Sequence, residues 1–336
     1  MGKVKKTKLK ETLYHTLAKH RHDKKIENKA KKHAENMEKA KNNQIKPKAK
    51  NNSKKEKSNE EKGVKEAVTP KHKRPEFTSR DKILLLGEGN FSFAKALADN
   101  YMDEGPENMT ATCFDSEDVL YKKYGDEAKE NIEYIRELGA TVLFDVDATH
   151  LPKDVRKAKY TKIVFNFPHA GSGMKDQDRN VLENQKLLSA FFASVAPLLT
   201  KPEDANNGEI LPEGEIHVTI KTCKPYNLWA IKGLAKATGK LAIKGTAPFY
   251  PDDFPGYEHR RTLGFKEGLS KAGNAEIISA APKTFMFVRN EAMVEINQKS
   301  IEGSIRKKKE YQLAQMSIKV KRKRHQNNGD DDDDDD

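Results

Sequence analysis

One stretch narrows the choice of fold more than any other: Ile83-Leu84-Leu85-Leu86-Gly87-Glu88-Gly89-Asn90-Phe91-Ser92-Phe93. Four apolar residues run without alternation into a turn carrying two glycines. Apolar residues then return at Phe91, Ala94, Leu97 and Ala98, which is helical spacing. The pattern predicts strand, tight loop and helix. A strand that is apolar at every position is covered on both faces, as in the centre of a parallel sheet. Gly87 and Gly89 let the backbone turn sharply and approach a ligand at the helix N-terminus, where free N–H groups favour negative or polar atoms. A nucleotide-like cofactor suits that place, and so does an ordinary turn that uses its glycines for geometry alone.

The same alternation continues downstream. Met109–Phe114 predicts a second strand ending on Asp115, and Ser116 is placed to cap a helix with apolar positions Leu120, Tyr124, Ala128, Ile132 and Ile135, closing at Gly139. Thr141–Phe144 predicts a third strand leading to Asp145-Val146-Asp147-Ala148-Thr149. Lys162–Phe165 predicts a fourth, closing on Asn166-Phe167-Pro168-His169. A helix with Val181, Gln185, Leu188, Phe192 and Val195 on one side follows, then a fifth strand over Gly214–Ile220 and a helix with Trp229, Ile231, Leu234 and Ala235. Leu241–Ile243 and Phe285–Val288 predict a last pair of strands, separated by an aromatic and basic segment, Phe249 to Arg261. Strand and helix in regular exchange predict a doubly wound, mostly parallel α/β sheet over residues 77–295.

Outside that region the composition changes. Of the net charge of +12, residues 1–75 contribute +16, with 25 basic and 9 acidic residues, so the remainder is net acidic by 4. Segment 1–76 has too few large apolar residues to build a core and reads as a basic, disordered tail that attracts RNA phosphates at any sequence. Leu9, Leu13 and Leu17 are spaced for a short helix within it, and His15, His20, His22 and His33 read as solvated. Residues 296–336 read as a second charged tail: Arg306–Lys309 and Lys321–Arg324 are basic clusters of the kind that serve nuclear import or RNA contact, and Asp330–Asp336 is an unbroken acidic run. No apolar run is long enough to span a membrane, and the N-terminus lacks the apolar core of a signal peptide. Cys113 and Cys223, far apart and without zinc-ligand neighbours, predict neither disulfide nor metal.

In an open α/β sheet, ligands bind beyond the carboxyl ends of the strands. Gly87–Asn90, Asp115, Asp147 and Asn166–His169 all fall at such ends, and that agreement of position is the main evidence for a site. An acid after the second strand is placed to accept both hydroxyls of an adenosine ribose. A dinucleotide commonly asks for a third glycine, and here Ser92 stands there beside bulky Phe91. S-adenosylmethionine has no phosphates and a cationic amino-acid end, which acidic Glu88 and Asp147 tolerate, so the balance favours methyl transfer. Asn166-Phe167-Pro168-His169 then stands where an acceptor base belongs, with His169 a candidate proton acceptor. Phe249, Tyr250, Phe254 and Tyr257 with His259, Arg260 and Arg261 interleave stacking surfaces and phosphate partners, as in readers of unpaired RNA, or else pack on the sheet.

The glycine motif, Val146-Asp147-Ala148-Thr149, Phe165-Asn166-Phe167-Pro168-His169, Gly214–Lys221 and Pro255-Gly256-Tyr257 with Arg260-Arg261 together resemble the Rossmann-like large-subunit ribosomal RNA (uridine-N3)-methyltransferase family. The resemblance covers about residues 82–290, and the length and tails are similar to its fungal nucleolar members acting on 25S rRNA. It departs at Phe254, where Tyr is expected, and at Asn90, where Asp is frequent. It implies a class I methyltransferase sheet with an antiparallel final strand, S-adenosylmethionine as donor and N3-methyluridine as product. Also implied are a nuclear and nucleolar location, large-subunit rRNA or pre-ribosomal particles as partner, a monomer, and neither metal nor membrane. Carried over by position, Gly87, Glu88, Gly89, Asn90, Phe91, Asp115, Asp147, Ala148 and Asn166 are expected to hold the cofactor. Asn166 and His169 are expected to act on the base, while Phe167, Pro168, Lys221, Tyr226, Tyr257, Arg260 and Arg261 contact RNA.

Overall fold

The computed structural model describes residues 76–102, 105–171, 173, 176–202, 211–262 and 273–327, with the side chains of the last helix described to residue 319. The basic segment up to residue 75, with the short helix expected from Leu9, Leu13 and Leu17 and its histidines, and the Asp330–Asp336 run lie outside these residues.

Strand β1 (Ile83–Leu86) leads to α1 (Ser92–Asn100), β2 (Met109–Thr112), α2 (Glu117–Glu137), β3 (Thr141–Leu143), the short α3 (Lys153–Lys157), β4 (Lys162–Asn166) and α4 (Gln177–Val195). Then come β5 (Glu215–Ile220), α5 (Ile231–Ala237), β6 (Leu241–Pro248), α6 (Ala275–Ile278), β7 (Lys283–Arg289) and α7 (Asn290–Asn327). The seven strands form one sheet in the order β3-β2-β1-β4-β5-β7-β6. β1 pairs in parallel with both β2 and β4, and β7 inserts antiparallel between β5 and β6. This is the class I methyltransferase sheet with an antiparallel last strand, and chain order reverses across β1 and β4, which puts a crevice beyond their carboxyl ends.

The uninterrupted apolar run of β1 has a direct cause. Ile83 and Leu85 enter one cluster, with Leu97, Leu120, Ile132 and Ile135 of α1 and α2, while Leu84 and Leu86 enter another on the opposite face, with Leu188, Phe191 and Phe192 of α4. Alternate side chains of a strand point to opposite faces, so a strand covered on both must be apolar throughout. β5, whose alternation is imperfect in sequence, is likewise buried at all six positions.

Several sequence expectations change. β2 stops at Thr112, leaving Cys113 buried beyond it and Phe114 70% exposed at the sheet's carboxyl edge. Ser116 occupies the N-cap of α2 but its hydroxyl makes no capping bond, and the helix is kinked at Gly125, where φ is +65°. β6 runs to Pro248, five residues past its apolar core, because pairing with β7 continues through an irregularity between Ile243 and Gly245. Phe249, Phe254 and Tyr257 are buried in the first cluster, with the Phe249 and Phe254 rings stacked 5.4 Å apart and Phe93 4.9 Å from Phe254. Of the aromatic quartet expected to meet RNA bases, Tyr250 alone is exposed.

Residues 296–327, expected as part of a disordered tail, continue α7. That helix has 38 residues, so it is about 57 Å long. From 297 to 319 every residue except Gly303 is exposed. Lys, Glu, Gln, Ala and Met sustain a helix by backbone propensity without an apolar stripe, and Arg306 faces Glu310 one turn on, at 3.8 Å. At its root, Arg289 grips Glu213 through two hydrogen bonds of 2.8 and 2.9 Å.

Phe192 is fully buried, with ring centroids 5.2 Å from Phe191 and 5.0 Å from Phe287. Phe192→Ala is expected to lower stability by about 3–5 kcal/mol in urea unfolding, whereas Leu313→Ala on the exposed arm of α7 should change it by less than about 0.5 kcal/mol.

Candidate cofactor and acceptor site

The loop after β1 turns at Gly87, whose φ is +68° and where an added Cβ would stand 2.5 Å from Cε2 of Phe165 on β4. No side chain fits between these two strands. Glu88 N–H then donates to Thr112 O at the end of β2 (2.9 Å). Beyond β2 and β3 the backbone stays zipped, Cys113 N to Leu143 O at 3.1 Å and Val146 N to Cys113 O at 2.9 Å, while Phe167 N beyond β4 donates to Thr219 O of β5 at 2.7 Å. Backbone hydrogen bonds therefore tie these loops to the neighbouring strands and loops.

They enclose a cavity of about 300 Å³, at the lower end of the range for small-molecule sites. Gly87, Glu88, Gly89, Asn90, Asp115, Asp147, Ala148 and Asn166 line it. Phe91, expected with them, does not: it takes a left-handed conformation (φ 58°) at the N-cap of α1 and is fully buried against Phe144, 6.2 Å between centroids. The loop needs that residue to turn the chain into the helix, and the turn sends its ring into the core.

A roof crosses the cavity from the segment after β6, carrying Tyr257, Glu258, His259, Arg260 and Thr262. Ser92 fastens it: its hydroxyl donates to Asn90 Oδ1 (2.8 Å) and meets both Glu258 O and Glu258 N–H at 3.0 Å. Glu127 of α2 accepts from Asn90 Nδ2 with one oxygen (2.9 Å) and from Arg260 with the other (2.6 Å). Arg260 also pairs with Glu258 at 2.6 Å. Held by two carboxylates, Arg260 clamps the roof to α2 and is not the open phosphate contact expected from the sequence. Tyr257, also expected to face RNA, is buried, and its hydroxyl is held well above its usual range, first by burial and then by Glu88.

The electrostatics favour a cation without phosphates. Four carboxylates, Glu88, Asp115, Asp147 and Glu258, line the cavity, and its two lining cations, Lys123 and Arg260, are both paired. Lys123 Nζ reaches both oxygens of Asp115 at 2.7 Å. Asp147 Oδ1 accepts from the N–H (2.8 Å) and hydroxyl (2.7 Å) of Thr149; burial pushes its carboxyl up, but these bonds and His150 outweigh burial and leave it below its ordinary value. Glu88 goes the other way, raised by burial to about 7 although Ala94 N–H opposes the shift. Asn166 Nδ2 is buried in the cavity wall with no protein partner, a donor that a ligand atom would satisfy. Exposed Phe114 offers an aromatic face beside Asp115. Carboxylates, an unpaired amide, an aromatic face and a glycine-tight loop fit S-adenosylmethionine.

Behind this cavity is a cleft of about 110 Å³, lined by Lys221, Tyr226, Trp229, Arg261 and Glu276. Phe167, Pro168, His169, His259 and Arg260 line both spaces and so form the wall between them. Phe167 sits at φ +51°, an uncommon conformation for a bulky residue and one that the following proline further disfavours. His169 Nδ1 accepts from Gly171 N–H at 2.9 Å, so the neutral ring carries its proton on Nε2 and faces the site as a donor. Burial first, then Lys221 and Arg261, hold His169 below its ordinary pKa. His259, 4.6 Å from the Phe167 ring, is pushed down to about 4 by burial and by Lys221, against the pull of Glu276.

The model of the BMT5-like rRNA (uridine-N3-)-methyltransferase family matches residues 84–261. The chain belongs to this family. The match contains all of β1 but Ile83, β2 through β6, the glycine loop, the wall and most of the roof. A 25S rRNA (uridine(2634)-N(3))-methyltransferase of Saccharomyces cerevisiae is 32% identical over 231 residues, covering 55% of this chain and 67% of the yeast protein. An uncharacterized Arabidopsis thaliana protein is 36% identical over 193 residues, 56% of this chain and 85% of that one. Heavy metal-associated isoprenylated plant protein 41 of the same plant is 35% identical over 202 residues, but this chain spans just over a third of it, 36%, against 59% of its own length.

Within this BMT5-like site, Lys123, Tyr124, Phe114 and Glu276 escape a reading of the sequence alone. Lys123 lies in the second turn of α2, whose start just after Asp115 the sequence did show. Glu276 comes from α6, far away in sequence, and nothing local marks it.

Because Glu88 titrates near 7 when folded and near 4.5 otherwise, the native state binds the extra proton between those values, and its ionisation opposes folding as pH rises. Glu88→Gln should therefore gain stability over the unmodified protein progressively from pH 5 to pH 8 in urea unfolding; a difference independent of pH contradicts the assignment.

Proposed function

We propose that this chain transfers a methyl group from S-adenosylmethionine to N3 of a uridine in large-subunit rRNA during ribosome biogenesis, in the nucleus and nucleolus. The observation that carries the reading is the shared wall: Phe167-Pro168-His169 separates a cavity suited to the cofactor from a smaller cleft of aromatic rings and cations. Family membership names the chemistry, and basic segments at both ends of the chain support attraction to rRNA and nuclear import.

S-adenosylmethionine supplies a methyl group on a positively charged sulfur. Gly87 and Gly89 allow its amino-acid end to approach the backbone, Asp115 takes the ribose hydroxyls, and Asp147 and Ala148 border the adenine beside Phe114. Asn166 offers its unpaired amide at the meeting of the two spaces. N3 belongs to the Watson–Crick edge, so the target base must be unpaired or flipped to enter the cleft. There the uracil loses its N3 proton to solvent, and N3 bonds to the methyl carbon as the carbon–sulfur bond breaks. N3-methyluridine and S-adenosylhomocysteine result. His169 serves as a hydrogen-bond donor to a uracil carbonyl, where negative charge collects as the proton leaves, in place of the base role that its imidazole suggests in sequence. Tyr226 packs against the flipped ring, its own ring 5.0 Å from Trp229 and 5.4 Å from Lys221 Nζ.

Incubation of the full chain with labelled S-adenosylmethionine and unmodified rRNA, followed by nucleoside analysis, should yield N3-methyluridine and a new reverse-transcription stop. Asn166→Ala is expected to reduce the rate about 10²–10³-fold with an unchanged circular dichroism spectrum. Asp115→Ala should weaken cofactor binding about tenfold, the loss of a charge-assisted hydrogen bond. Label in any other nucleoside overturns the substrate assignment.

A further inference from the structure

The acceptor cleft holds a set of charges that a uracil-binding pocket does not need for shape alone. Its described lining carries three cations, Lys221, Arg260 and Arg261, against one carboxylate, Glu276. Arg260 is compensated from outside the cleft by Glu127 and Glu258. Lys221 and Arg261 share Glu276, at 3.2 and 3.8 Å. Lys221, at the carboxyl end of β5, is largely buried, with 14% of its side chain exposed, and its ammonium stands over the Tyr226 ring at 5.4 Å. The two titratable rings of the wall are ill-placed to remove a proton. His169 has its Nδ1 occupied by Gly171 N–H, and His259 Nδ1 is 3.3 Å from the Tyr257 hydroxyl.

We propose that the cleft ionises its own substrate: Lys221, with Arg261, stabilises the N3-deprotonated uracil anion, so that the reacting species is uridinate and no side chain acts as general base. The inference rests on the methyltransferase reading above. Cations that disfavour a protonated histidine beside them favour, by the same Coulomb interaction, an anionic base in the same place. The uracil N3–H bond releases its proton to solvent, the electron pair left on N3 forms the N–CH3 bond, and the carbon–sulfur electrons remain on sulfur. Anion and sulfonium cancel, giving a neutral methylated base. At N3 of cytidine the same transfer would create a cation beside Lys221, so the field that activates uridine also rejects cytidine. This choice is made by charge, and it operates without any contact to the exocyclic group.

The test is single-turnover methylation by the full chain, from pH 6 to pH 10, of an RNA carrying the target uridine. Lys221→Gln should move the rise of rate with pH upward by about one unit, costing about tenfold at pH 7, with the rate regained at alkaline pH; Lys221→Arg should keep the original profile. Replacing the target by 5-fluorouridine, whose N3 proton is more acidic, should rescue Lys221→Gln more than the unmodified enzyme. Methylation with a Lys221→Gln loss that is equal at every pH and not relieved by 5-fluorouridine overturns the ionisation mechanism alone. A wild-type chain that leaves uridine unmethylated at all pH values overturns the reading beneath it.

Discussion

Everything at this site depends on how closely β1 and β4 approach as they end. Gly87 turns away from the sheet with the Phe165 ring where its Cβ would be, so the loop between β1 and α1 is pinned to β4 by exclusion of volume. That single close contact aligns the glycine loop with Asn166 and the turn after it, and the cavity is the space left on the open side. A side chain at position 87 would have to displace an aromatic ring packed on Phe191, 5.1 Å away in the second core, and adopt a left-handed backbone as well. The steric cost falls on the packing of both strands at once.

Charge then divides the site into two. On the side of β1, β2 and β3, carboxylates prevail, and the lysine and arginine that border them are spent on Asp115, Glu127 and Glu258. On the side of β5 the sign reverses at Lys221 and Arg261. The wall that separates them is made from two histidines held below their ordinary pKa, a phenylalanine, a proline and Arg260, whose charge is paired with Glu127 and Glu258. On the proposed reading, a cationic donor and an acceptor that becomes anionic each meet the field that suits them. The roof belongs to the same design, since Ser92, Asn90 and Glu127 tie it to the glycine loop through a connected set of hydrogen bonds.

Much of this could be read before folding because the periodic signals were local. The run Ile83–Leu86 announced a doubly covered strand, and polar residues at strand ends announced the crevice; these depend on neighbours within a few positions. What the sequence hid depends on distance along the chain. Phe91 belongs to the glycine motif by position but enters the core because its backbone is left-handed. Phe249, Phe254 and Tyr257 have the composition of an RNA-stacking platform, yet an apolar cluster beneath them claimed their rings. Arg260 looked like a phosphate partner until α2 and the roof supplied carboxylates on either side. The long α7 was obscured because exposed apolar residues such as Ile301, Ile305 and Leu313 are mixed with charged ones around it, and a helix sustained by propensity leaves no clear amphipathic trace.

On the proposed function, the crevice beyond β1, β2 and β4 takes a phosphate-free adenosine cation. Isothermal titration calorimetry of the full chain with S-adenosylmethionine and, separately, with NAD measures this directly. Saturable one-to-one binding of S-adenosylmethionine with no heat of binding for NAD is expected; binding of NAD, or silence toward S-adenosylmethionine in a folded protein, would rule this assignment out.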